Sequence, residues 1–596
     1  MKKIIRTTVV GLATLMGLSM VACGPEKYDP TGSGSGGIDK NKTQIYVDVY
    51  NGGTGVQWIE DLATQWNATQ TEFEVLINGK EKFNIEQAIA QMQSGLSDTS
   101  ATIFYTVTPS YGTSVIDGNY LVDLSDVLAR DVDGNGKTIG EKLGTTEDFV
   151  KGWKSIATKS DGSGMYALPY ADSYNGFVYD HDTFLQYNWV TYAPTSEASA
   201  AAANGIQTTV DGDKLKITST TSDYYYVGEY LLTKGKDGKY GTYDDGQPVT
   251  LNDWNVMIDK IVNGIDGKNK RKAFLWTGQH SEYMDPTFYS LLSQIGGMDV
   301  YSAVMQKNSN GASVPLNDGS SVVINYDNGY LADKAQAITD TLEFMETIVC
   351  NEDAVNPKSY SGQVTHTDAQ NAFLLGFYND RTNPETAMLA EGVWWENEAR
   401  SFFLSLENDG EEGRGYGQRR YRYMLYPDFE GQASSKSHFT VVDGGSVAIA
   451  KLPDNEKNNK KTQASKDFLA FTLKDENLRM FTRRTGVLRA YKYELTAEDR
   501  AAMTPFARCA YDIYQDTENI EIIHQAFTLQ GSPIYKATGV EGVDWISTTQ
   551  NMEYFSCAQA LKAGGAAKMI EKMNNRFSAS EWAGYVKTTR DLGLID

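Results

Sequence analysis

The chain has 596 residues and a formal net charge of −23 at pH 7. So acidic a surface offers no basic stripe for phosphate contacts, which argues against nucleic acid as a partner. The length exceeds what one compact core holds, so at least two domains are expected. Beyond the N-terminal region the cysteines are Cys350, Cys509 and Cys557. Their odd number favours buried thiols over a disulfide framework, although a single bridge stays open.

The N-terminus has the pattern of a targeting segment. Three basic residues precede the apolar residues 7–21, which are too few to span a membrane. The sequence MVACG at 20–24 resembles a bacterial lipobox, in which Cys23 becomes the first mature residue and carries the lipid. An ordinary signal peptide, with the cysteine incidental, is the alternative. We therefore expect a lipoprotein signal peptide at 1–22 and a flexible Gly/Ser-rich tether at 23–43.

These features predict a protein on the extracellular face of the cell membrane, or on the periplasmic side if the cell has an outer membrane. The lipid would be its only attachment to that membrane. No later apolar run in the sequence is long enough to span a bilayer.

Strands and amphipathic helices alternate after the tether. Strands are predicted at Thr43–Tyr50, Phe73–Ile77 and Ala101–Tyr105. This alternation indicates a parallel sheet with helices on both faces, and such sheets bind ligands outside the carboxyl ends of their strands. The segments Asn51–Gly55, Lys80-Glu81 and Tyr105–Tyr111 should therefore lie along one rim.

The stretch Met165–Phe184 organises the rest of the chain. It combines a buried-strand pattern at 167–170 with four tyrosines: Tyr166, Tyr170, Tyr174 and Tyr179. Pro169 fixes its own φ and lacks a ladder donor, so a central strand cannot simply run through it. We interpret the stretch as a crossing between two lobes, with aromatic side chains facing a cleft and Tyr179 in the core.

Later segments leave the first sheet and return to it. Residues 196–250 are rich in Ser, Thr, Tyr and Gly and fit hairpins and surface loops. The apolar strand Gly444–Lys451 then comes before a series of helical segments. A chain that leaves its first sheet and later returns to it is typical of a two-lobed protein with several crossings between the lobes.

Several motifs occur together and in order along residues 44–596. Besides Cys23 they are the strand and glycine loop Tyr50–Gly55, Lys154–Phe184 with YALPY, AMLAEGVWWENEA (387–399), DGGSVAIAK (443–451) and DFLAFTLKDENLRMFTRRTGVLRA (467–490). In this combination the chain resembles the solute-binding proteins of carbohydrate ABC transporters, the family-1 extracellular group. The resemblance implies an α/β fold of the type II periplasmic-binding-protein-like kind, with hinge-linked lobes and a ligand cleft between them. Lobe 1 would hold 44–168 plus 443–490, and lobe 2 would hold 172–440 plus 491–596.

The same resemblance implies a function. A lipid-anchored extracellular protein would capture a sugar or oligosaccharide by hinge closure and deliver it to the permease subunits of an ABC transporter. It would act as a monomer and require no cofactor.

Sugars offer hydroxyl edges and weakly positive C–H faces, which suit polar side chains and aromatic faces respectively. Trp394 and Trp395 are adjacent, so only one of them can easily face a cleft. Glu396 could cap a helix or contact sugar. The candidate ligand-binding residues are Asn51, Gly53, Lys80, Glu81, Tyr105, Tyr170, Asp172, Tyr174, Trp276, Trp394, Trp395 and Glu396.

Two acidic loops match parts of calcium-binding patterns. Asp131, Asp133 and Asn135 stand at positions 1, 3 and 5 of an EF-hand-like loop, but position 12 is Lys142 instead of a glutamate. Asp237, Asp244 and Asp245 lie in the Gly-rich loop Gly235–Gly246. Structural calcium at either loop is one interpretation, and ordinary turn chemistry is the other.

Catalysis has little support in the sequence. The five histidines are isolated, there is no G-x-S-x-G elbow, and Glu396 and Glu398 are spaced to point to different sides. We therefore expect a binding protein and not an enzyme. A surface glycan-binding lipoprotein or a carbohydrate-active enzyme that works without a permease is the main alternative, and a binder of peptides or other solutes on the same fold is a weaker one.

Overall fold

The structure is a computed structural model that describes residues 38–80, 85–96, 100–107, 110–265, 267–376, 385–408, 413–441, 444–543, 547–548, 551–552 and 554–596. The strands are β1 Thr43–Tyr50, β2 Phe73–Lys80, β3 Ala101–Thr106, β4 Leu168–Asp172, β5 Asn175–Asp180, β6 Ile206–Asp211, β7 Lys214–Thr220, β8 Lys272–Leu275, β9 Ser313–Pro315, β10 Ser321–Val323, β11 Thr386–Gly392, β12 Tyr421–Met424, β13 Ser437–Val441, β14 Gly444–Ile449, β15 Ile520–His524, β16 Ser547–Thr548 and β17 Asn551–Met552.

The α-helices are α1 Gln57–Asn67, α2 Ile85–Ser94, α3 Thr113–Asp117, α4 Ser125–Leu128, α5 Ile139–Lys142, α6 Glu147–Ala157, α7 His181–Gln186, α8 Ala198–Ala203, α9 Leu251–Asn263, α10 Asp285–Gln306, α11 Gln336–Val349, α12 His366–Leu375, α13 Trp395–Glu398, α14 Arg400–Asn408, α15 Glu456–Thr472, α16 Asp475–Thr485, α17 Ala497–Ala502, α18 Pro505–Gln515, α19 Gln525–Gly531, α20 Pro533–Thr538, α21 Cys557–Asn574 and α22 Ala579–Asp591. Short 3-10 helices lie at Thr195–Glu197, Ser281–Met284, Tyr326–Lys334 and Pro357–Tyr360.

The sheet of lobe 1 has the order β2-β1-β3-β14-β4. Its first three strands are parallel, and β14 runs antiparallel to both β3 and β4. Apolar residues alternate along β1, so that Ile45, Val47 and Val49 are buried, and the apolar face of α1 covers them. The carboxyl ends of the three parallel strands meet at one edge, which is the rim that the sequence predicts.

The sheet of lobe 2 has the order β15-β13-β5-β11-β8, with β12 also paired to β5. It is mixed, since β11 is antiparallel to β5 and parallel to β8. All residues of β5 and β11 are buried, as expected for strands covered on both faces.

The two sheets are joined by crossings that run side by side. Only Ser173 and Tyr174 separate β4 of lobe 1 from β5 of lobe 2. The chain returns between β13 and β14, and Thr440 pairs with Asn175 while Gly444 pairs with Asp172. A third passage follows α16, where the backbone N–H of Asp172 donates to the carbonyl of Leu488 at 3.0 Å. Adjacent crossings of this kind form a hinge between the lobes.

The segment 196–250 forms α8 and the β6–β7 hairpin, as its composition predicts. Its apolar side chains Ile206, Leu215 and Ile217 join the core of lobe 2, so the segment is packed onto that lobe. Across the residues that the structure describes, no helix has both the length and the apolar character needed to cross a bilayer.

Candidate ligand-binding cleft

A cavity of about 170 Å³ lies between the two lobes. Residues from both sheets and from both sides of the β4–β5 crossing line it. They are Tyr50, Gly53, Thr54, Val107, Tyr170, Ala171, Ser173, Asn175, Glu282, Tyr283, Pro286, Trp394, Glu398 and Gly445. The cavity therefore lies at the position where a two-lobed α/β protein encloses a ligand.

Tyr170 forms the aromatic wall on the lobe 1 side. Its ring stacks on Trp58 with ring centroids 5.9 Å apart and meets Tyr105 edge-on at 5.0 Å. Gly445 on the neighbouring strand makes room for this ring, because a Cβ there would lie 2.5 Å from the Tyr170 Cε1 atom. The wall is thus held in place by a rigid aromatic stack behind it.

Trp394 and Tyr283 form the aromatic wall on the lobe 2 side. Their rings meet edge-on with centroids 6.4 Å apart. Trp394 immediately precedes α13, whereas Tyr283 lies in the 3-10 helix Ser281–Met284 that leads into α10. Trp394 stays partly exposed, while its neighbour Trp395 is fully buried. Only the first of the two adjacent tryptophans therefore reaches the cleft.

The glycine loop of lobe 1 touches the lobe 2 wall directly. A Cβ on Gly53 would lie 2.6 Å from Cδ1 of Trp394, so the loop backbone approaches the indole more closely than any larger residue allows. The Asn397 side-chain amide donates to the carbonyl of Gly53 at 2.7 Å. Together these contacts join the lobes across the cleft, which is the geometry of a closed state.

Polar groups complete the cavity. Ser173 and Asn175 flank the crossing and offer a hydroxyl and an amide. Glu282 and Glu398 offer carboxylates from lobe 2, and Oε2 of Glu282 is buried with no hydrogen-bond partner in the described part of the chain. Aromatic faces on two opposite walls with hydrogen-bonding groups between them can hold a molecule that is apolar on its faces and polar on its edges.

Several residues predicted to contact ligand are buried and are not among the described residues that line the cavity. Tyr105 and Trp276 are buried, because both faces of β3 are covered and Trp276 packs edge-on against Tyr360 in the core of lobe 2. Tyr174 is also buried, and its hydroxyl donates to the carbonyl of Ala510 at 2.9 Å. In the sequence these aromatic residues look like those of the cleft, since core and cleft favour the same side chains.

Asp172 serves the hinge and does not line the cavity. Its carboxylate accepts a hydrogen bond from the Tyr514 hydroxyl and lies 3.0 Å from Nε2 of His524. Tyr514 lies in α18 and His524 ends β15 of lobe 2. The carboxylate at the end of β4 therefore ties the crossing to lobe 2.

Trp395 and Glu396 point away from the cleft. Trp395 packs edge-on against Tyr421 and Phe506, with ring centroids 5.1 and 5.6 Å away. Glu396 is buried and accepts a hydrogen bond from the Thr504 hydroxyl at 2.5 Å. Burial raises the pKa of Glu396 to about 7.

The remaining predicted residues belong to the rim. Gly53 lines the cavity, whereas Asn51 lies beside it and its backbone N–H donates to the carbonyl of Lys80. The Lys80 ammonium is paired with Asp48. Glu81 lies outside the described residues. Of the predicted ligand-binding set, the structure thus brings Gly53, Tyr170 and Trp394 together at the cavity.

Sequence reasoning missed Glu282, Tyr283 and Pro286, and it passed over Ser173 and Asn175. The position of Glu282, Tyr283 and Pro286 after a strand was a signal in the sequence that could have identified them. Glu282 and Tyr283 lie in the 3-10 helix Ser281–Met284 and Pro286 lies in the first turn of α10, so all three follow the carboxyl end of the strand β8. That strand has only four residues, which made its end hard to recognise as part of the rim.

The EF-hand-like loop already contains a cation from the chain itself. The Lys142 ammonium donates to Oδ2 of Asp133 at 2.6 Å, to Oδ1 of Asp475 at 2.8 Å and to the carbonyl of Leu473 at 3.1 Å. Asp131 accepts backbone N–H groups of its own loop, and Asn135 does likewise. The Lys142 ammonium thus lies beside Asp133 of this loop, and calcium at Asp131, Asp133 and Asn135 stays a prediction.

The second acidic loop is organised by its own backbone. Asp244 accepts the N–H groups of Lys236 and Asp237 at 2.6 and 3.0 Å, and Asp245 accepts that of Gly241 at 2.6 Å. Burial raises the pKa of Asp237 and of Asp245 to about 7. Within the described ranges no group of three or more His, Cys, Asp or Glu side chains could hold a metal ion. Calcium at this loop stays a prediction.

No family model matches the chain, and no curated protein matches it. Among solved structures, the apo-form of RafE from Streptococcus pneumoniae is similar, with 10% identity, a TM-score of 0.49, and 92% of this chain and 99% of that chain covered. A chitin oligosaccharide binding protein is similar at 12% identity and a TM-score of 0.48, with 91% of this chain and 99% of that chain covered. Maltose-bound MalE3 of T. maritima is similar at 12% identity and a TM-score of 0.48, again with 91% of this chain and 99% of that chain covered. Such identities and TM-scores do not establish a family. The two sheets and their side-by-side crossings themselves show a two-lobed α/β fold, as the sequence predicts.

Proposed function

We propose that this protein is an extracellular solute-binding protein of a carbohydrate ABC transporter, which closes its two lobes over a sugar or oligosaccharide. One observation carries the proposal: Tyr170 of lobe 1 and Trp394 of lobe 2 line opposite sides of one cavity at a hinge. Aromatic rings suit the C–H faces of pyranose rings, and Ser173, Asn175 and Glu282 suit the hydroxyl edges. A ligand that contacts both walls favours the closed state, because it binds that state better than the open one.

A calorimetric titration with a panel of neutral oligosaccharides tests this function. We expect at least one glycan to bind and Trp394→Ala to weaken it by about thirtyfold, or ~2 kcal/mol. Tyr226→Ala is the matched control, since Tyr226 is 52% exposed on lobe 2 and lies outside the cavity. Loss of affinity in both variants, or a panel in which no glycan binds, would contradict the proposal.

Membrane attachment is a further part of the proposal. Its support is the lipobox-like sequence ending in Cys23, which lies outside the described residues. The mature protein would carry lipid on Cys23 and present its ligand to permease subunits in the same membrane. Mass spectrometry of the mature N-terminus checks this, and a free N-terminus beyond Cys23 would refute it.

A carbohydrate-active enzyme is the second candidate function. Glu282 and Glu398 line the same cavity, and paired carboxylates are what a glycosidase uses. Release of reducing ends from a bound glycan, abolished by Glu282→Gln or Glu398→Gln, would favour this candidate. A bound glycan that stays intact favours a binding protein.

A further inference from the structure

One end of the cleft is lined by carboxylates. Glu282 and Glu398 both face the cavity, and the Gln370 side-chain amide donates to Oε2 of Glu398 at 2.7 Å and to Oε1 of Glu391 at 3.0 Å. Glu391 lies fully buried on β11 behind the cavity wall. Burial, and then repulsion from Glu398, hold the pKa of Glu391 well above its usual range. Glu391 and Glu398 thus share the Gln370 amide, and Glu398 lines the same cavity as Glu282.

These carboxyl groups have little compensating charge. No lysine or arginine is among the described residues that line the cavity. Two buried histidines lie beside the cavity carboxylates. Nδ1 of His280 lies 3.4 Å from Glu282, and Nε2 of His366 lies 3.6 Å from Glu398. Neither contact is a close hydrogen bond, and Oε2 of Glu282 keeps no partner within the described part of the chain.

A carboxylate that loses water when a cleft closes costs free energy, and a ligand that donates a hydrogen bond to it recovers that cost. An ammonium group recovers the most, since a charge-assisted hydrogen bond to a carboxylate is about twice as strong as a neutral one. A ligand carboxylate would meet repulsion from Glu282 and Glu398 in a site that excludes much of the water. Charge alone therefore predicts that sugars with an ammonium group bind most tightly, neutral sugars less tightly, and sugars with a carboxylate least tightly.

We infer that this end of the cleft selects sugars by charge: it takes units that carry hydroxyl or ammonium groups, prefers those with an ammonium group, and rejects uronic acids. The inference rests on the proposed sugar-binding function and adds a substrate class to it. Glu282 is the main determinant, because its side chain lines the cavity and is 31% exposed, whereas the Gln370 amide holds one oxygen of Glu398.

The test uses oligosaccharides of glucose, galactose and mannose, each in a neutral, a 2-amino-2-deoxy and a uronic acid form of equal length. Calorimetry at pH 7 and low salt gives the dissociation constants. In every series that binds, we expect the amino form to bind at least tenfold more tightly than the neutral form. The uronic acid form should bind at least tenfold more weakly than the neutral form.

Two variants assign the effect to the cleft. Glu282→Gln keeps the shape and removes the charge, so the ratio between amino and neutral forms should fall below threefold. Glu456→Gln is the matched control, since Glu456 has 85% of its side chain exposed on lobe 1, and it should leave the ratio unchanged. A thermal unfolding curve for each variant verifies that it is folded.

The outcomes separate the two claims. Neutral and uronic acid forms that bind equally well, or an amino preference that survives Glu282→Gln, would overturn the charge selection and leave the sugar-binding function standing. A complete absence of binding in all series would overturn both. The expected order of affinities, together with its loss in Glu282→Gln, supports both.

Discussion

Some charged side chains of this protein are buried, and they pair with other residues of the chain. Lys142 stands where an EF-hand needs a bidentate glutamate, and its ammonium lies between Asp133 and Asp475. The side chain is only 3% exposed, and such a buried ionic cluster holds α5 against the start of α16. The Asp133 carboxylate of this loop is therefore paired with a cation of the chain itself.

Glu396 is a second buried charge, and its effect depends on pH. Its pKa in the folded protein is raised to about 7 by burial, whereas an ordinary glutamate has a pKa of 4.5. The folded state therefore binds more protons than the unfolded state between these values. This contribution to stability is complete below about pH 4.5 and is lost as the pH rises through 7.

Glu396→Gln should remove this loss. The amide keeps an oxygen for the Thr504 hydroxyl but does not ionise, so the variant should be more stable than the wild type at pH 8 by roughly 3 kcal/mol at about 1.4 kcal/mol per pKa unit. At pH 4.5 the two proteins should differ little. Urea unfolding from pH 4.5 to 8 measures this, with Glu518→Gln as the control because Glu518 has 84% of its side chain exposed. Parallel pH profiles for wild type and Glu396→Gln would refute the prediction.

At the scale of elements, the contacts of the glycine loop with Trp394 and with α13 join the two lobes across the cleft. The loop offers its backbone to both Trp394 and Asn397. Because the loop follows β1 of lobe 1 and α13 belongs to lobe 2, this contact exists only when the lobes are close together. Its strength should therefore affect ligand affinity more than it affects the stability of either lobe.

Gly53→Ala should weaken ligand binding by at least tenfold, since the added Cβ would lie 2.6 Å from the indole and keep the lobes apart. The melting temperature should change little, because the clash is relieved by opening. Gly362→Ala is the matched control, as its Cβ would meet no atom within 4 Å. A Gly53→Ala protein that binds as tightly as the wild type would show that the loop does not limit closure.

The sequence predicted the elements of lobe 1 well and the cleft only in part. The alternation of strands and helices and the crossing at Pro169 were visible in local patterns, and so was the aromatic pair at 394 and 395. Tyr105, Tyr174 and Trp276 could not be told from cleft residues, because burial depends on which elements cover a strand. Glu282 and Tyr283 were missed because the strand before them, β8, has only four residues and its carboxyl end was hard to recognise as part of the rim.

At the scale of the whole molecule, the hinge is the feature on which the proposed function depends. Neighbouring crossings pair through Asp172 with Gly444 and through Asn175 with Thr440, so the lobes can rotate about a short ribbon of strands. Asp172, Tyr514 and His524 form a polar network on this ribbon. Under the proposed function, a change in backbone angles at this ribbon would open the cavity, which Ser173 and Asn175 line.

The central claim is that this cavity closes around a sugar, and small-angle X-ray scattering tests it most directly. The protein should be measured alone and with the glycan that binds in calorimetry, in wild type and in Gly53→Ala. We predict that the radius of gyration of the wild type falls when the glycan is added, and that it falls less in Gly53→Ala. A radius of gyration that stays the same when the wild type is saturated with a bound glycan would contradict hinge closure.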